Sequence, residues 1–116
     1  MARAAATADA FNAVGDATRR QILRELAEGE ATVGELVEQL ALPQPQVSKH
    51  LGVLRQVDLV RCRASGRHRL YRVHRPALEP VEAWLAELTR TVNERYDRLD
   101  HHLHALQQPP AERSAP

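Results

Sequence analysis

Leu42-Pro43-Gln44-Pro45-Gln46-Val47-Ser48-Lys49-His50-Leu51-Gly52-Val53-Leu54 is the stretch that decides the fold. Its two prolines make a tight turn and then suit the first positions of a helix, where a missing N–H costs nothing. The spacing predicts a helix from about Pro45 to Val57, with Val47, Leu51, Val53 and Leu54 as its apolar face. Gln44, Gln46, Ser48, Lys49 and His50 surround the start of that helix and include its outward polar side chains. Just upstream, Thr32-Val33-Gly34-Glu35 reads as a capping box, in which a threonine and a glutamate three residues on serve each other's backbone N–H. The helix it opens has Val33, Leu36, Val37 and Leu40 as its stripe and must stop before Pro43. Two amphipathic helices joined by so short a turn predict a helix-turn-helix.

Working outward, a short helix is expected over 8–14, and Asp16 is placed to cap the helix that follows, whose inner face is Ile22, Leu23 and Leu26 and whose stop is Gly29. Downstream, 59–63 and 68–73 read as strands, with Ala64-Ser65-Gly66-Arg67 supplying the hairpin and Gly66 free to adopt positive φ. A last helix is expected over 76–106, roughly 45 Å long at about 1.5 Å per residue. Val81, Leu85, Leu88, Val92, Leu99, Leu103 and Leu106 form its stripe, weakened at Arg95–Tyr96. So long a stripe exceeds what one small domain covers and predicts a second subunit across it, with Phe11 and Trp84 joining Val81, Leu85, Leu88 and Val92 in the seam. The expected class is therefore mainly α with a small β-hairpin, ordered α-α-α-α-β-β-α: a dimeric winged helix-turn-helix. Residues 8–106 make one DNA-binding and dimerisation domain between a flexible 1–7 and a disordered tail from 107 on.

Composition narrows the function. The 116 residues carry a net charge of +1, but eight of the 16 Lys and Arg (Lys49, Arg55, Arg61, Arg63, Arg67, Arg69, Arg72, Arg75) lie between Gln44 and Arg75 with Asp58 as the one acid. That stretch carries +7 and the remainder 8 − 14 = −6. Positive charge concentrated on the second helix and its hairpin is the footprint of a surface that meets phosphate. The single cysteine, Cys62, rules out an intrachain disulfide and a cysteine-rich zinc site within one chain, and fits a cytoplasmic setting. No membrane span, signal peptide, nucleotide-binding glycine loop or catalytic constellation stands out, so no enzyme and no cofactor are expected.

Phe11 to Leu23 with Asp16, Thr18, Arg19 and Arg20, then Val47-Ser48-Lys49-His50-Leu51, Leu59-Val60 and Gly66 to Tyr71, together resemble the ArsR/SmtB family of winged-helix repressors over about residues 8–105. The resemblance implies a homodimer on an imperfect inverted-repeat operator in double-stranded DNA. It also implies repression relieved by a metal, a redox event, a small ligand or no known cue. The chain departs from the family at three points. Pro43 stands where a serine usually caps the recognition helix, Asp58 where a glycine usually follows it, and Thr32 and Gly34 where the thiol metal site has cysteines.

Gln44, Gln46, Ser48, Lys49 and His50 are the expected DNA contacts from the helix, since amide and hydroxyl groups can read base edges and lysine can neutralise phosphate. Arg67 and Arg69 on the wing are expected on phosphates or in a narrow minor groove. Arg19 and Arg20 fit either phosphates or structural pairs. Arg61 and Arg63 beside Cys62 would favour its thiolate, although strand packing is the plainer role for that thiol. Asp97, Asp100, His101 and His104, with His102, invite a zinc or nickel reading, because 97/101 and 100/104 share a helix face. Asp100 and His102 resemble half of the family's last-helix metal site, but the other half would fall near Arg113, so no metal site is expected. A metal-responsive derepressor and a winged-helix protein-interaction module stand as the alternatives.

Overall fold

The computed structural model describes residues 10–107. Residues 10–14 are helical (α1). They are followed by α2 (Ala17–Glu28), α3 (Val33–Leu40), α4 (Gln44–Gln56), β1 (Val60–Ser65), β2 (His68–Val73), a 3₁₀ turn (Arg75–Leu78) and α5 (Glu79–Gln107). The flexible segment expected over 1–7 and most of the disordered tail expected from 107 on lie outside the described residues. Gln107 itself is the last residue of α5.

The starts of α2, α3 and α4 each have an identifiable cause. The Asp16 carboxylate accepts the Arg19 N–H at 3.0 Å and caps α2. Thr32 and Glu35 close the reciprocal capping box on α3, at 3.1 and 2.9 Å. α4 starts on Pro43 with no side-chain cap. Pro45 removes one of the N–H groups a cap would serve, and the Pro43 carbonyl accepts from both Gln46 and Val47. The missing serine is thus replaced by turn bonds and proline. α3 ends on Ala41 in left-handed geometry (φ 54°) and α4 runs into Asp58 at φ 65°. Asp58 therefore takes the conformation for which glycine is usual at this point.

The body, residues 10–81, closes around Ile22, Leu26, Leu36, Val47, Leu51, Leu54, Leu59 and Val60, each at most 4% exposed. Val33, Val37, Leu40, Leu42, Tyr71 and Val73 pack at its edge. The hairpin is antiparallel, with Val60 opposite Val73 and Ser65 opposite His68, which leaves Gly66 and Arg67 as a two-residue turn. The strands reach closer to the tip than the sequence suggests, and Gly66 (φ 60°) sits at the first central position, where a type II′ turn wants glycine. Ala31 bridges to Tyr71, so the segment leading into α3 lies along the outer edge of β2.

The last helix differs from expectation at its start. Arg75–Leu78 form a 3₁₀ turn, and α5 begins at Glu79 with Pro80 in its first turn. Residues 82–107 form a second unit. Along it Trp84, Leu85, Leu88, Val92, Tyr96, Leu99, Leu103 and Leu106 are 39–64% exposed. Tyr96 fills the weak point of the stripe. Among the described residues no helix is long and apolar enough to cross a membrane.

Candidate nucleic-acid interface

α4 is anchored by Val47, Leu51 and Leu54, all buried. At 100° per residue, that fixes which side chains point away from the body. Gln44, Gln46, Ser48, Lys49, Arg55 and Gln56 are all exposed. His50 is the exception among the candidates. Its side chain is only 15% exposed, with Nδ1 4.0 Å from an Asp16 carboxylate oxygen. The Arg19 Nε lies 3.9 Å from the same oxygen, and both nitrogens are buried without a hydrogen-bond partner among the described residues. The Arg19 N–H bond holds the Asp16 carboxyl below its ordinary range; burial opposes this, and the charges of His50 and Arg19 assist it. The two most distinctive sequence stretches, the segment around Asp16 and the one around His50, thus meet at one carboxylate.

Arg19 and Arg20 each make a bond within the body. Their guanidinium groups donate to the Ala13 and Val14 carbonyls at 3.5 and 3.0 Å, serving open acceptors at the end of α1.

The hairpin sorts its cations by strand alternation. Arg61, Arg63, Leu70 and Arg72 share the outer face, while Cys62, Arg69 and Tyr71 share the other. Arg61 grips Asp58 through two bonds of 3.0 and 2.9 Å. Arg63 grips Glu30 in the same way. These forks hold Asp58 and Glu30 below the ordinary carboxylate range, the arginine hydrogen bond being the main cause in each, and raise the two arginines in turn. The expectation that Arg61 and Arg63 favour the Cys62 thiolate is therefore corrected, since adjacent strand residues point to opposite faces. The cation beside the half-buried Cys62 is Arg69, whose Nη1 lies 3.8 Å from Sγ. Arg67 and Arg69 at the wing tip are exposed.

Thr32 and Gly34, at the family's thiol positions, line a cleft of about 360 Å³ with Arg67, His68, Arg69 and Tyr71. A lining this cationic opposes a metal ion. Asp97, Asp100, His101, His102 and His104 are all exposed on α5. Among the described residues no three His, Cys, Asp or Glu side chains group to hold a metal.

Sequence reasoning missed Glu30. It lies outside the basic stretch and 33 positions from Arg63, and only the bridge of Ala31 to Tyr71 brings it to the wing.

Comparison with known proteins agrees with this geometry. A helix-turn-helix domain family matches residues 14–63. The transcriptional repressor SdpR of Bacillus subtilis is 31% identical over 75 residues, which is 65% of this chain and 83% of SdpR. The crystal structure of an ArsR family transcriptional regulator, RHA00566, superimposes with a TM-score of 0.65 at 33% identity, covering 76% of this chain and 91% of that one. The homodimeric winged helix-turn-helix DNA-binding domain of Mb0332 from Mycobacterium bovis, a possible ArsR-family regulator, gives a TM-score of 0.61 at 27% identity, covering 84% and 87%. Against another curated transcriptional regulator the chain spans about half (50%) of the relative's length. With helix-turn-helix, wing and sequence in agreement, the chain belongs to the ArsR family of winged helix-turn-helix transcriptional regulators.

Proposed function

We propose that this chain is a homodimeric, non-enzymatic repressor that binds an inverted-repeat operator in double-stranded DNA, in the cytoplasm. The observation that carries the proposal is the division of α4. One face is locked into the core by Val47, Leu51 and Leu54, and the other presents Gln44, Gln46, Ser48 and Lys49 to solvent. A rigidly held helix with a polar outer face is what the major groove admits. Glutamine can pair with adenine in two places, the Ser48 hydroxyl can bond base edges or phosphate, and Lys49 can neutralise phosphate. Arg67 and Arg69 at the tip would then meet the backbone or the minor groove. His50 is turned toward Asp16 and away from that outer face.

The homodimer rests on the open stripe of α5. Trp84, Leu85, Leu88 and Val92 are 39–52% exposed in the single chain. An apolar row of this length marks an association surface, and the Mb0332 domain is described as homodimeric. Phe11 and Val81 are the further seam residues. Two-fold symmetry would set the recognition helices about 34 Å apart, one turn of DNA.

The test is titration of the parent and Arg67→Ala with a genomic fragment selected by the protein, at several salt concentrations. We expect tight parent binding and a salt slope lowered by about 0.9 in the variant, one phosphate contact's worth. A parent that binds no fragment above random DNA would refute the reading.

A further inference from the structure

The wing carries its charge in two places that behave differently. Arg67 and Arg69 at the tip are exposed, as Arg61 and Arg63 are, but bond no carboxylate among the described residues. Arg61 and Arg63 at the root are each committed to a carboxylate by a two-point fork of 2.9–3.0 Å. The partners sit at the two places where the hairpin joins the helix-turn-helix. Asp58 is the left-handed residue between α4 and β1, and it also faces His74 Nε2 at 3.6 Å, just past β2. Glu30 precedes Ala31, whose isolated bridge to Tyr71 lays this segment along the free edge of β2, immediately before the cap of α3. The same antiparallel bridge sets Glu30 near Arg72, whose charge also favours the Glu30 carboxylate. The Arg63 guanidinium therefore reaches from β1 across β2 to the segment that leads into α3.

We infer that Glu30 is a positioning residue for the wing: through Arg63 it ties β1 to the entrance of α3, so that Arg61 and Arg63 are struts and the phosphate-facing charge belongs to the tip. A planar guanidinium with two parallel bonds fixes direction as well as distance. An arginine so held offers its charge to an acid already present, so it neutralises no phosphate and releases none of the counterions condensed on DNA. Of the eight cations in the basic stretch, these two then drop out of the phosphate count. The inference rests on the DNA-binding reading above, and the experiment keeps the two separable.

The experiment compares the parent with the net-neutral double variant Glu30→Gln/Arg63→Gln and with the charge-swapped pair Glu30→Arg/Arg63→Glu. Each binds the selected fragment and a random duplex of equal length over a range of salt. Amide hydrogen exchange across β1 and β2 is followed without DNA. We expect the double variant to lose about 2- to 5-fold in affinity for the selected fragment, the range an exposed pair is worth. Its salt slope should stay at the parent's value, its affinity for random duplex should fall by a similar factor because the tip meets phosphate, and hairpin amides should exchange faster. The swapped pair should recover part of the loss, since the Arg72 charge that favours an acid at position 30 opposes a cation there. A salt slope lowered by about 0.9 would make Arg63 a phosphate contact and overturn the inference. So would unchanged binding of the selected fragment, or unchanged hairpin exchange. If the parent itself prefers no fragment, the function reading fails while the exchange arm still decides the strut.

Discussion

Two regions of this molecule carry apolar residues at helical spacing and use them in opposite ways. In the body, Ile22, Leu36, Leu51 and Leu54 are at most 1% exposed. In α5, Leu85, Leu88, Leu99 and Leu103 are 45–53% exposed. The residue types are alike; what differs is whether the chain supplies the other side. The body has four helices and a hairpin to close on itself, whereas 82–107 is a single helix. Burial is roughly proportional to apolar area removed from water, so the first region owes its stability to folding and the second should owe it to association.

The largest effect should come from the body. Leu54→Ala leaves a cavity against Val47, Leu59 and their neighbours and should cost about 2–5 kcal/mol by urea unfolding. Leu99→Ala, measured at a concentration where the protein is monomeric, should cost far less. Equal losses would erase the distinction between the regions. Next, Leu88→Arg should convert a particle of about 26 kDa, twice the 13.0 kDa chain, to a monomer in sedimentation, with the body still folded. A parent that sediments as a monomer at micromolar concentration would leave the α5 stripe without the partner we assign to it. On a smaller scale, Thr32→Ala breaks the capping box of α3 and should lower stability by about 1 kcal/mol.

The smallest effect concerns acid. Asp16, Glu30 and Asp58 titrate below their ordinary values. A carboxylate depressed by folding gives its stability in full above the unfolded value and loses it as pH falls through the folded one. Between about pH 5 and pH 3, Asp58→Asn should therefore lose less Tm than the parent, because its contribution is already gone. Equal losses would show that the Arg61 fork does not persist in solution.

Much of this was legible in the chain. The cap at Asp16, the box at Thr32 and Glu35, and the stripes of α3 and α4 follow from local chemistry, because each depends on residues within a turn of one another. Gly66 was readable because few residues accept positive φ, and Asp58 because it stands where the resemblance implies a glycine. What the sequence hid depends on register and long-range pairing. Strand alternation sends Arg61 and Arg63 away from Cys62, and only the pairing of β1 with β2 brings Arg69 to it. Glu30 reaches the wing through a single bridge, and no pattern in the sequence announces it. His50 looks outward by composition, yet its place on the helix, beside buried Leu51 and Leu54, turns it toward Asp16. The 3₁₀ turn before α5 was hidden too, since a proline at the start of a helix suits either geometry.

The central claim is that the outer face of α4 reads sequence while the wing tip meets charge. It is tested most directly by Gln46→Ala/Ser48→Ala, titrated by fluorescence anisotropy against the selected fragment and a random duplex of equal length. The parent should prefer the selected fragment by about 10³-fold or more. The variant should lose most of that preference while its affinity for random duplex and its salt slope stay near the parent's. A variant that keeps the full preference, or one that loses equally on both duplexes, would contradict the account.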